Sequence, residues 1–207
     1  MNYVKDGAAI YRESFSIIRR EAALEQFEPD LARVVVRMIH ACGMTDLPND
    51  IQASADAAKL GIAALRDGAP LFCDATMVAS GITRSRLPKN NEVICTLNNS
   101  VTLTLAQQFK TTRTAAAVEL WRDRLSGSVV VIGNAPTALF HLLEMIEAGA
   151  ERPALIIGIP VGFVGAAESK EALASNKLGL PYLTVRGRRG GSAIASAAVN
   201  ALASEEE

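Results

Sequence analysis

The sequence predicts an α/β protein, a single-domain three-layer α/β/α sandwich that is built on a mainly parallel sheet of about five strands and spans residues 1–207. Two observations support this fold class. After residue 70, short aliphatic runs alternate with helical stretches, and glycine, proline or asparagine stands at nearly every junction, which is typical of βαβ units. Several of these runs, such as residues 129–132, are apolar throughout, as expected of parallel strands that are covered on both faces.

The N-terminal third of the chain is predicted to be mainly helical. Apolar residues recur between charges over residues 8–23, which indicates a first helix. A second helix begins at Pro29, a residue that suits a first helical turn, and ends at Gly43. A polar loop follows, and Ser54 is expected to cap a third helix that runs to about Asp67.

Strands and helices alternate through the rest of the chain. The strands are predicted at residues 71–74, 92–97, 129–132, 154–160 and 182–185. The helices are predicted at residues 101–109, 113–125, 136–147, 166–174 and 192–203. Because crossovers between parallel strands are right-handed, these helices should cover both faces of the sheet.

The composition argues against several classes of partner. The 21 Lys and Arg residues nearly cancel the 22 Asp and Glu residues, so the net charge of −1 creates no overall field that would attract nucleic acid or an anionic membrane. No apolar run approaches the roughly 20 residues that cross a bilayer. The 3 cysteines are far apart, and the first residues carry no export signal, so we expect reduced thiols in a soluble, cytoplasmic protein.

Three loops that follow predicted strands are candidates for binding an anion. Residues 133–137, 160–165 and 186–192 each open a helix, so backbone amides and helix dipoles should meet at the carboxyl edge of the sheet. The first two are also compatible with ordinary tight turns. The third contains Arg186, Arg188 and Arg189, whose charges repel one another unless an anion is bound, which favours a carboxylate or phosphate ligand. The glycine spacing does not fit a dinucleotide site.

Further arginines would suit a ligand with several carboxylates. Arg84, Arg86 and Arg113 stand in or next to polar loops, where each alone is typical of a protein surface. A guanidinium group, however, matches the geometry of a carboxylate, and several together would bind a polycarboxylate.

His40 is the candidate for proton transfer. On a helical wheel it lies opposite Leu31, away from the apolar stripe, and shares its face with Val36, Arg33 and Arg37. An imidazole near cations and an anionic ligand can exchange a proton near neutral pH. The alternative is an exposed or interface histidine. His141 is expected to be structural, and neither a metal site nor a serine nucleophile has the spacing that it needs.

Several stretches, taken together, resemble the precorrin-8X methylmutase family of cobalamin biosynthesis almost end to end. They are residues 6–18, 37–43, 73–88, 91–97, 133–140, 160–170 and 185–192. The resemblance implies an isomerase that shifts a methyl group from C-11 to C-12 of precorrin-8X, giving hydrogenobyrinic acid without any cofactor or metal. It also implies a homodimer that binds its tetrapyrrole substrate near the subunit interface.

The resemblance assigns roles to individual residues. His40 is the expected catalytic residue, which protonates the macrocycle. Tyr11, Ser14, Thr83, Arg84 and Arg113 fall on positions expected to contact the substrate. The charge of the arginine-rich loop, rather than the resemblance, adds Arg186 and Arg188 to the expected substrate-binding residues. Three alternatives remain open: a cobalt-precorrin-8 methylmutase, a corrinoid carrier without catalysis, and a sugar-phosphate or nucleotide enzyme. The closer likeness favours the metal-free substrate, and a carrier would give no reason for His40.

Overall fold

The computed structural model describes Met1 and residues 3–204. A six-stranded sheet forms the centre of this structure. The strands are β1 (Ile51–Ala53), β2 (Leu71–Cys73), β3 (Val93–Ile94), β4 (Val129–Ile132), β5 (Leu155–Gly158) and β6 (Tyr182–Val185). Their order is β1-β6-β5-β4-β2-β3. All neighbours pair in parallel except β1, which pairs antiparallel with β6. The mainly parallel sheet is therefore confirmed, with one strand more than predicted.

Helices cover both faces of this sheet. They are α1 (Gly7–Glu21), α2 (Pro29–Cys42), α3 (Ala57–Arg66), α4 (Thr76–Gly81), α5 (Thr102–Gln108), α6 (Arg113–Glu119), α7 (Pro136–Glu147), α8 (Ala166–Ala174) and α9 (Ser192–Ala203). Alternate residues of each strand enter opposite cores. Val129 and Val131 pack with α1, α2, α3, α4 and α9, whereas Val130 and Ile132 pack with α6, α7 and α8. This arrangement confirms the three-layer sandwich.

The N-terminal region departs most from prediction. Residues 51–53 form β1, which the sequence did not predict, and Ser54 does not cap a helix. Instead, the Ser54 amide donates to the Tyr182 carbonyl, and its hydroxyl accepts from the Tyr182 amide, so Ser54 continues the pairing of β1 with β6. Helix α3 begins only at Ala57, after Asp56 has adopted a left-handed backbone with φ of 59°.

Two other helical predictions needed correction. Helix α4 follows β2 directly and was missed, because its six residues are too few to show a period. The helix predicted at residues 113–125 ends at Glu119 and is followed by a separate 3-10 turn, Arg122–Arg124. Between the two, the Trp121 indole is buried and donates to the Thr96 hydroxyl at 2.8 Å. Among the described residues, no helix combines the length and the apolar composition that crossing a membrane requires.

The Asp74 carboxylate fixes the loop between β4 and α7. Asp74 follows β2, is 0% exposed, and accepts hydrogen bonds from the amides of Gly133, Asn134 and Ala135 at 2.9, 2.9 and 2.7 Å. Burial raises the pKa of Asp74, and the three amide donors oppose that rise. No side chain in the described part of the protein caps α7, and Asp74 binds the three amides that immediately precede this helix. The first of the three predicted anion-binding loops therefore already holds an anion from within the chain.

The same loop joins the sheet to two helices. Gly133 lies so close to α4 and α9 that a β-carbon at this position would come within 2.9 Å of Val78 Cγ2 and of Ala195 Cβ. Gly133 therefore leaves no room for a side chain between the loop and these two helices. Asp74 holds the loop that packs against α4 and α9.

Replacing Asp74 with asparagine should destabilise the protein. One carboxylate oxygen would become an NH2 group that faces amide donors, so we expect Asp74→Asn to lower the free energy of unfolding by about 2–4 kcal/mol. Urea denaturation followed by circular dichroism measures this change. Asp123→Asn is the control, because Asp123 is exposed, and its effect should stay within about 0.5 kcal/mol. Equal stability of the two variants would contradict the role given to Asp74.

Candidate active site around His40

His40 lies in the last turn of α2, three residues before Gly43 ends the helix with a φ of 70°. It is half-buried. The sequence predicted that Val36 shares an outward face with His40, but Val36 is 1% exposed, so this prediction was wrong. Helix α2 is buried on most of its surface because both α1 and α9 pack against it. His40 is consequently held between helices on two sides.

Helix α1 supplies the side chains that contact the imidazole. The Ser14 hydroxyl lies 2.8 Å from His40 Nδ1, a hydrogen-bond distance. The rings of Tyr11 and Phe15 lie 5.1 and 5.0 Å from the imidazole, measured between centroids. The three residues are spaced three and four apart and therefore share one helical face. Tyr11 and Ser14 were predicted from the resemblance, whereas Phe15 was missed, although its position four residues after Tyr11 places it on the same face.

Two cavities border His40. The α1 cavity, of about 780 Å³, is mainly apolar; it is lined by Val4, Ala9, Ile10, Glu13, Ser14, Ile17, Ile18, Glu21, Ile39, His40, Gly43 and Thr45. The α4–α9 cavity, of about 350 Å³, is lined by Arg37, His40, Ala41, Met77, Gly81, Ala193, Ser196, Ala197 and Asn200. The imidazole is therefore accessible from more than one direction.

Burial and a neighbouring cation both disfavour the charged form of the imidazole in the free protein. Partial burial lowers the pKa of His40, and the positive charge of Arg37 lowers it further. Because Ser14 engages Nδ1, Nε2 is the ring nitrogen that faces no hydrogen-bond partner within the part of the chain that the structure describes. A negatively charged ligand next to His40 would oppose both effects and favour the imidazolium form.

Thr83 is linked through Asn200 to the α4–α9 cavity, and Arg84 is the next residue along the chain. The Thr83 amide donates to Asn200 Oδ1 at 2.8 Å, and the Asn200 side-chain nitrogen donates to the Gly81 carbonyl at 2.9 Å. Asn200 lines the cavity, so it connects Thr83 to the surroundings of His40. Arg84 follows in the 3-10 turn Arg84–Arg86 and is exposed. Sequence reasoning did not identify Asn200, which acts from α9, more than a hundred residues away.

Arg113 occupies a different layer of the protein. It begins α6, on the face of the sheet opposite α1 and α2. Its guanidinium donates to the Leu97 carbonyl at 3.2 Å and to Asn98 Oδ1 at 3.0 Å. Arg113 lines neither of the cavities that border His40. Within one chain, therefore, the structure does not bring Arg113 together with His40.

The arginine-rich loop after β6 is neutralised in part by the chain itself. Arg189 forms ion pairs with Asp46 at 2.8 Å and Asp50 at 2.9 Å, and the hydrogen bond that Arg189 donates to Asp46 raises the pKa of Arg189. The Arg188 guanidinium lies over the Phe163 ring at 5.3 Å, and Arg186 donates to the Asn49 carbonyl at 3.5 Å. Because Asp46 and Asp50 balance the charge of Arg189, repulsion between the arginines of this loop gives no reason to expect a bound anion at Arg189.

A buried lysine organises this loop from within. Lys170 is 1% exposed, and its ammonium donates to the Gly187 carbonyl at 2.9 Å and to the Arg189 carbonyl. Burial lowers the pKa of Lys170 to about 8. Lys170 was not predicted as a functional residue, because nothing in its own helix shows that its side chain enters a loop that follows another strand.

His141 has a structural contact, as expected. Its Nε2 lies 2.7 Å from Glu119 Oε1, and Glu119 also binds the Arg122 guanidinium. Hydrogen bonds from Arg122 and His141 help to lower the pKa of Glu119. Within Met1 and residues 3–204, no three His, Cys, Asp or Glu side chains converge on a point where they could hold a metal ion.

Comparisons with known proteins identify the family of this chain. Residues 9–205 match the family model described as precorrin-8X methylmutase. A precorrin-8X methylmutase from Pseudomonas aeruginosa is 61% identical over 207 residues, which is 100% of both chains. A cobalt-precorrin-8 methylmutase from Leptospira interrogans is 37% identical, covering 95% of this chain and 92% of that protein. A structure of precorrin-8X methylmutase from Thermus thermophilus gives a TM-score of 0.86 at 40% identity, covering 95% of each chain. The chain belongs to the precorrin-8X methylmutase family.

Proposed function

We propose that this isomerase converts precorrin-8X to hydrogenobyrinic acid by moving a methyl group from C-11 to C-12, with His40 as the proton donor. The observation that carries the proposal is the Ser14–His40 hydrogen bond, which fixes an imidazole between two cavities. The bond from the methyl group to C-11 breaks, and the bond to C-12 forms, so product and substrate are isomers. His40 lends a proton to the macrocycle and recovers it when the product is formed.

The neighbours of His40 orient the imidazole for proton donation. When both ring nitrogens carry protons, Nδ1–H donates to the Ser14 hydroxyl, which leaves Nε2–H for the substrate. Tyr11 and Phe15 restrict the plane of the imidazole through ring contacts from α1. A general acid held in this way commonly contributes about 10²–10⁴ in rate. Correct placement of the ring system would supply more, because the migrating group must already lie over its destination.

The substrate carries several carboxylate arms around an apolar ring, and its recognition is assigned to arginines and polar groups near His40. Thr83 and Arg84 would act beside the α4–α9 cavity, and Arg186 and Arg188 from the loop after β6. Arg113 lines no cavity next to His40 in its own chain, so its role depends on a second chain. We therefore retain the homodimer, with substrate near the subunit interface, as part of the proposal.

The proposal also specifies the form of the substrate and the setting of the reaction. The higher identity to a relative named for precorrin-8X than to one named for cobalt-precorrin-8 supports a metal-free substrate. The reaction requires no cofactor and no resident metal, and it takes place in the cytoplasm. Neither nucleic acid nor a membrane takes part in it.

The proposed activity is tested with both substrate forms. Purified protein mixed with precorrin-8X should change the visible spectrum to that of hydrogenobyrinic acid, and conversion of cobalt-precorrin-8 should be at least about tenfold slower in kcat/KM, a difference of about 1.4 kcal/mol in the barrier. Faster conversion of the cobalt form would reverse the assignment of the substrate. Tight binding of both forms without any spectral conversion would favour a carrier.

Removal of the imidazole should abolish conversion while leaving binding. We expect His40→Ala to lower kcat by about 10²–10⁴ and to keep a dissociation constant for product within about tenfold of the wild-type value. Single-turnover absorbance and fluorescence titration measure the two quantities. His141→Ala is the control, because it removes the other histidine without touching the site. Normal turnover by His40→Ala would rule out the general-acid role.

The pH profile should report the titration of His40. A general acid works in its protonated form, and partial burial and Arg37 lower the pKa of His40 in the free protein. We therefore expect kcat/KM to be highest at acidic pH and to fall as pH rises through this lowered pKa. The bound carboxylates raise the pKa of His40, so kcat should fall only at higher pH.

The control for this profile is a variant without a titrating group at position 40. Residual activity of His40→Asn should lack the alkaline fall that the wild-type protein shows. If kcat/KM of the wild type instead rises with pH over the same range, His40 does not act as the acid.

A further inference from the structure

A third cavity lies on the opposite side of α1 from the α1 cavity, and its lining is strongly cationic. It measures about 640 Å³ and is lined by Ala8, Tyr11, Arg12, Phe15, Ser16, Arg19 and Arg86. Of the described residues that line it, three carry a guanidinium group and none is acidic. We call this space the arginine cavity. Arg86 is one of the arginines that were expected to suit a ligand with several carboxylates, whereas Arg12 and Arg19 were not singled out.

The arginine cavity adjoins the surroundings of His40 directly. Tyr11 and Phe15 line it, and the same two rings contact the imidazole. The Arg37 guanidinium lies 5.4 Å from the centre of the Phe15 ring and also lines the α4–α9 cavity. Burial and the charge of Arg86 both lower the pKa of Arg37, so these two guanidiniums are close enough to influence each other. Positive charge therefore extends from the arginine cavity to the edge of the His40 site.

Helix α1 has opposite charges on its two sides. Arg12 and Arg19 line the arginine cavity, whereas Glu13 and Glu21 line the α1 cavity. An anionic ligand that approaches His40 is repelled on the glutamate side and attracted on the arginine side. This asymmetry distinguishes the arginine cavity from a surface on which charges of both signs are mixed.

The arginines are spaced so that more than one acidic group can be held. Arg12 and Arg19 are seven residues apart, which is two turns of a helix, and they lie on one face roughly 10 Å apart along its axis. Arg86 approaches from the 3-10 turn outside the helix. A guanidinium binds a carboxylate through two parallel hydrogen bonds, which sets both the position and the orientation of the acid.

We infer that the arginine cavity binds carboxylate arms of the tetrapyrrole and so orients its ring against Tyr11, Phe15 and His40. The inference rests on the proposed function, and it adds a subsite with Arg12, Arg19 and Arg86 as specificity-determining residues. Because such contacts are made by bound substrate and bound product alike, they act mainly on affinity. They also select a corrinoid with free carboxylates over one whose arms are esterified or amidated, since a neutral arm gains little from a guanidinium.

The test measures binding of hydrogenobyrinic acid to Arg12→Gln, Arg19→Gln and Arg86→Gln by visible absorbance. Each variant should bind about 3- to 30-fold more weakly than the wild-type protein, and the loss should shrink as salt concentration rises. The matched control is Arg20→Gln, because Arg20 is exposed on the same helix and lines none of these three cavities. Its affinity should stay within about twofold of the wild-type value.

Two further measurements separate the charge interaction from a change in structure. The methyl ester of hydrogenobyrinic acid has no charged arms, so it should bind the wild-type protein and the three variants with equal affinity. Replacement of the same arginines by lysine keeps the charge and should restore part of the affinity for the acid. A variant that has lost its fold would instead bind both ligands poorly, with either replacement.

The outcomes distinguish this inference from the proposed function. If the wild-type protein converts precorrin-8X but all three glutamine variants bind the acid as tightly as Arg20→Gln does, the arginine cavity is not a subsite and the proposed activity stands. If the wild-type protein neither converts precorrin-8X nor binds hydrogenobyrinic acid, both are overturned. Equal losses of affinity for the acid and for its methyl ester would also overturn the inference, because the contact would then not involve charge.

Discussion

The buried carboxylate of Asp74 is the interaction on which the carboxyl edge of the sheet depends. It links the end of β2 to the start of α7 through three backbone amides, and the same loop lies against α4 and α9. A buried charge is costly unless it is fully hydrogen-bonded, and these amides at a helix N-terminus supply both donors and a favourable dipole. Because an internal anion occupies them, ligand recognition at this edge falls to side chains.

Charged side chains at two other places in the protein are paired within the chain. The arginine-rich loop after β6 has Asp46 and Asp50 to neutralise Arg189, and Glu119 binds both Arg122 and His141 on the far face of the sheet. Among the described residues that line the arginine cavity next to the His40 neighbours, three are arginines and none is acidic. Although the net charge of the chain is only −1, cationic side chains are therefore gathered beside the imidazole that is proposed to move a proton.

Much of the fold could be predicted from local patterns. Strands β4 and β6 and helices α7, α8 and α9 begin and end where predicted, since glycine or proline stands at one boundary of each. Strand β1, which was not predicted, has only three residues. It forms because it pairs with β6, which follows it by about 130 residues. Val36 was misplaced for a related reason, because a helical wheel shows one buried stripe and α2 is covered on two sides.

The site was predictable to a different degree. The helical wheel set His40 apart from the core stripe, but only the resemblance pointed to Tyr11 and Ser14 as its surroundings. Contacts between distant parts of the chain left no trace in the local sequence, and Asp74, Lys170 and Asn200 were missed for this reason. Each acts on a loop or helix about 20 to 120 residues away, so that only the fold brings donor and acceptor together.

The two edges of the sheet constrain how copies of this chain can associate. The edge strands β1 and β3 contain three and two residues, so each has few unpaired backbone groups to offer a neighbouring strand. Short edge strands are a common protection against uncontrolled sheet extension. A continuous sheet across two molecules is therefore not a stable arrangement here, and any specific assembly must be built from contacts between helices and loops.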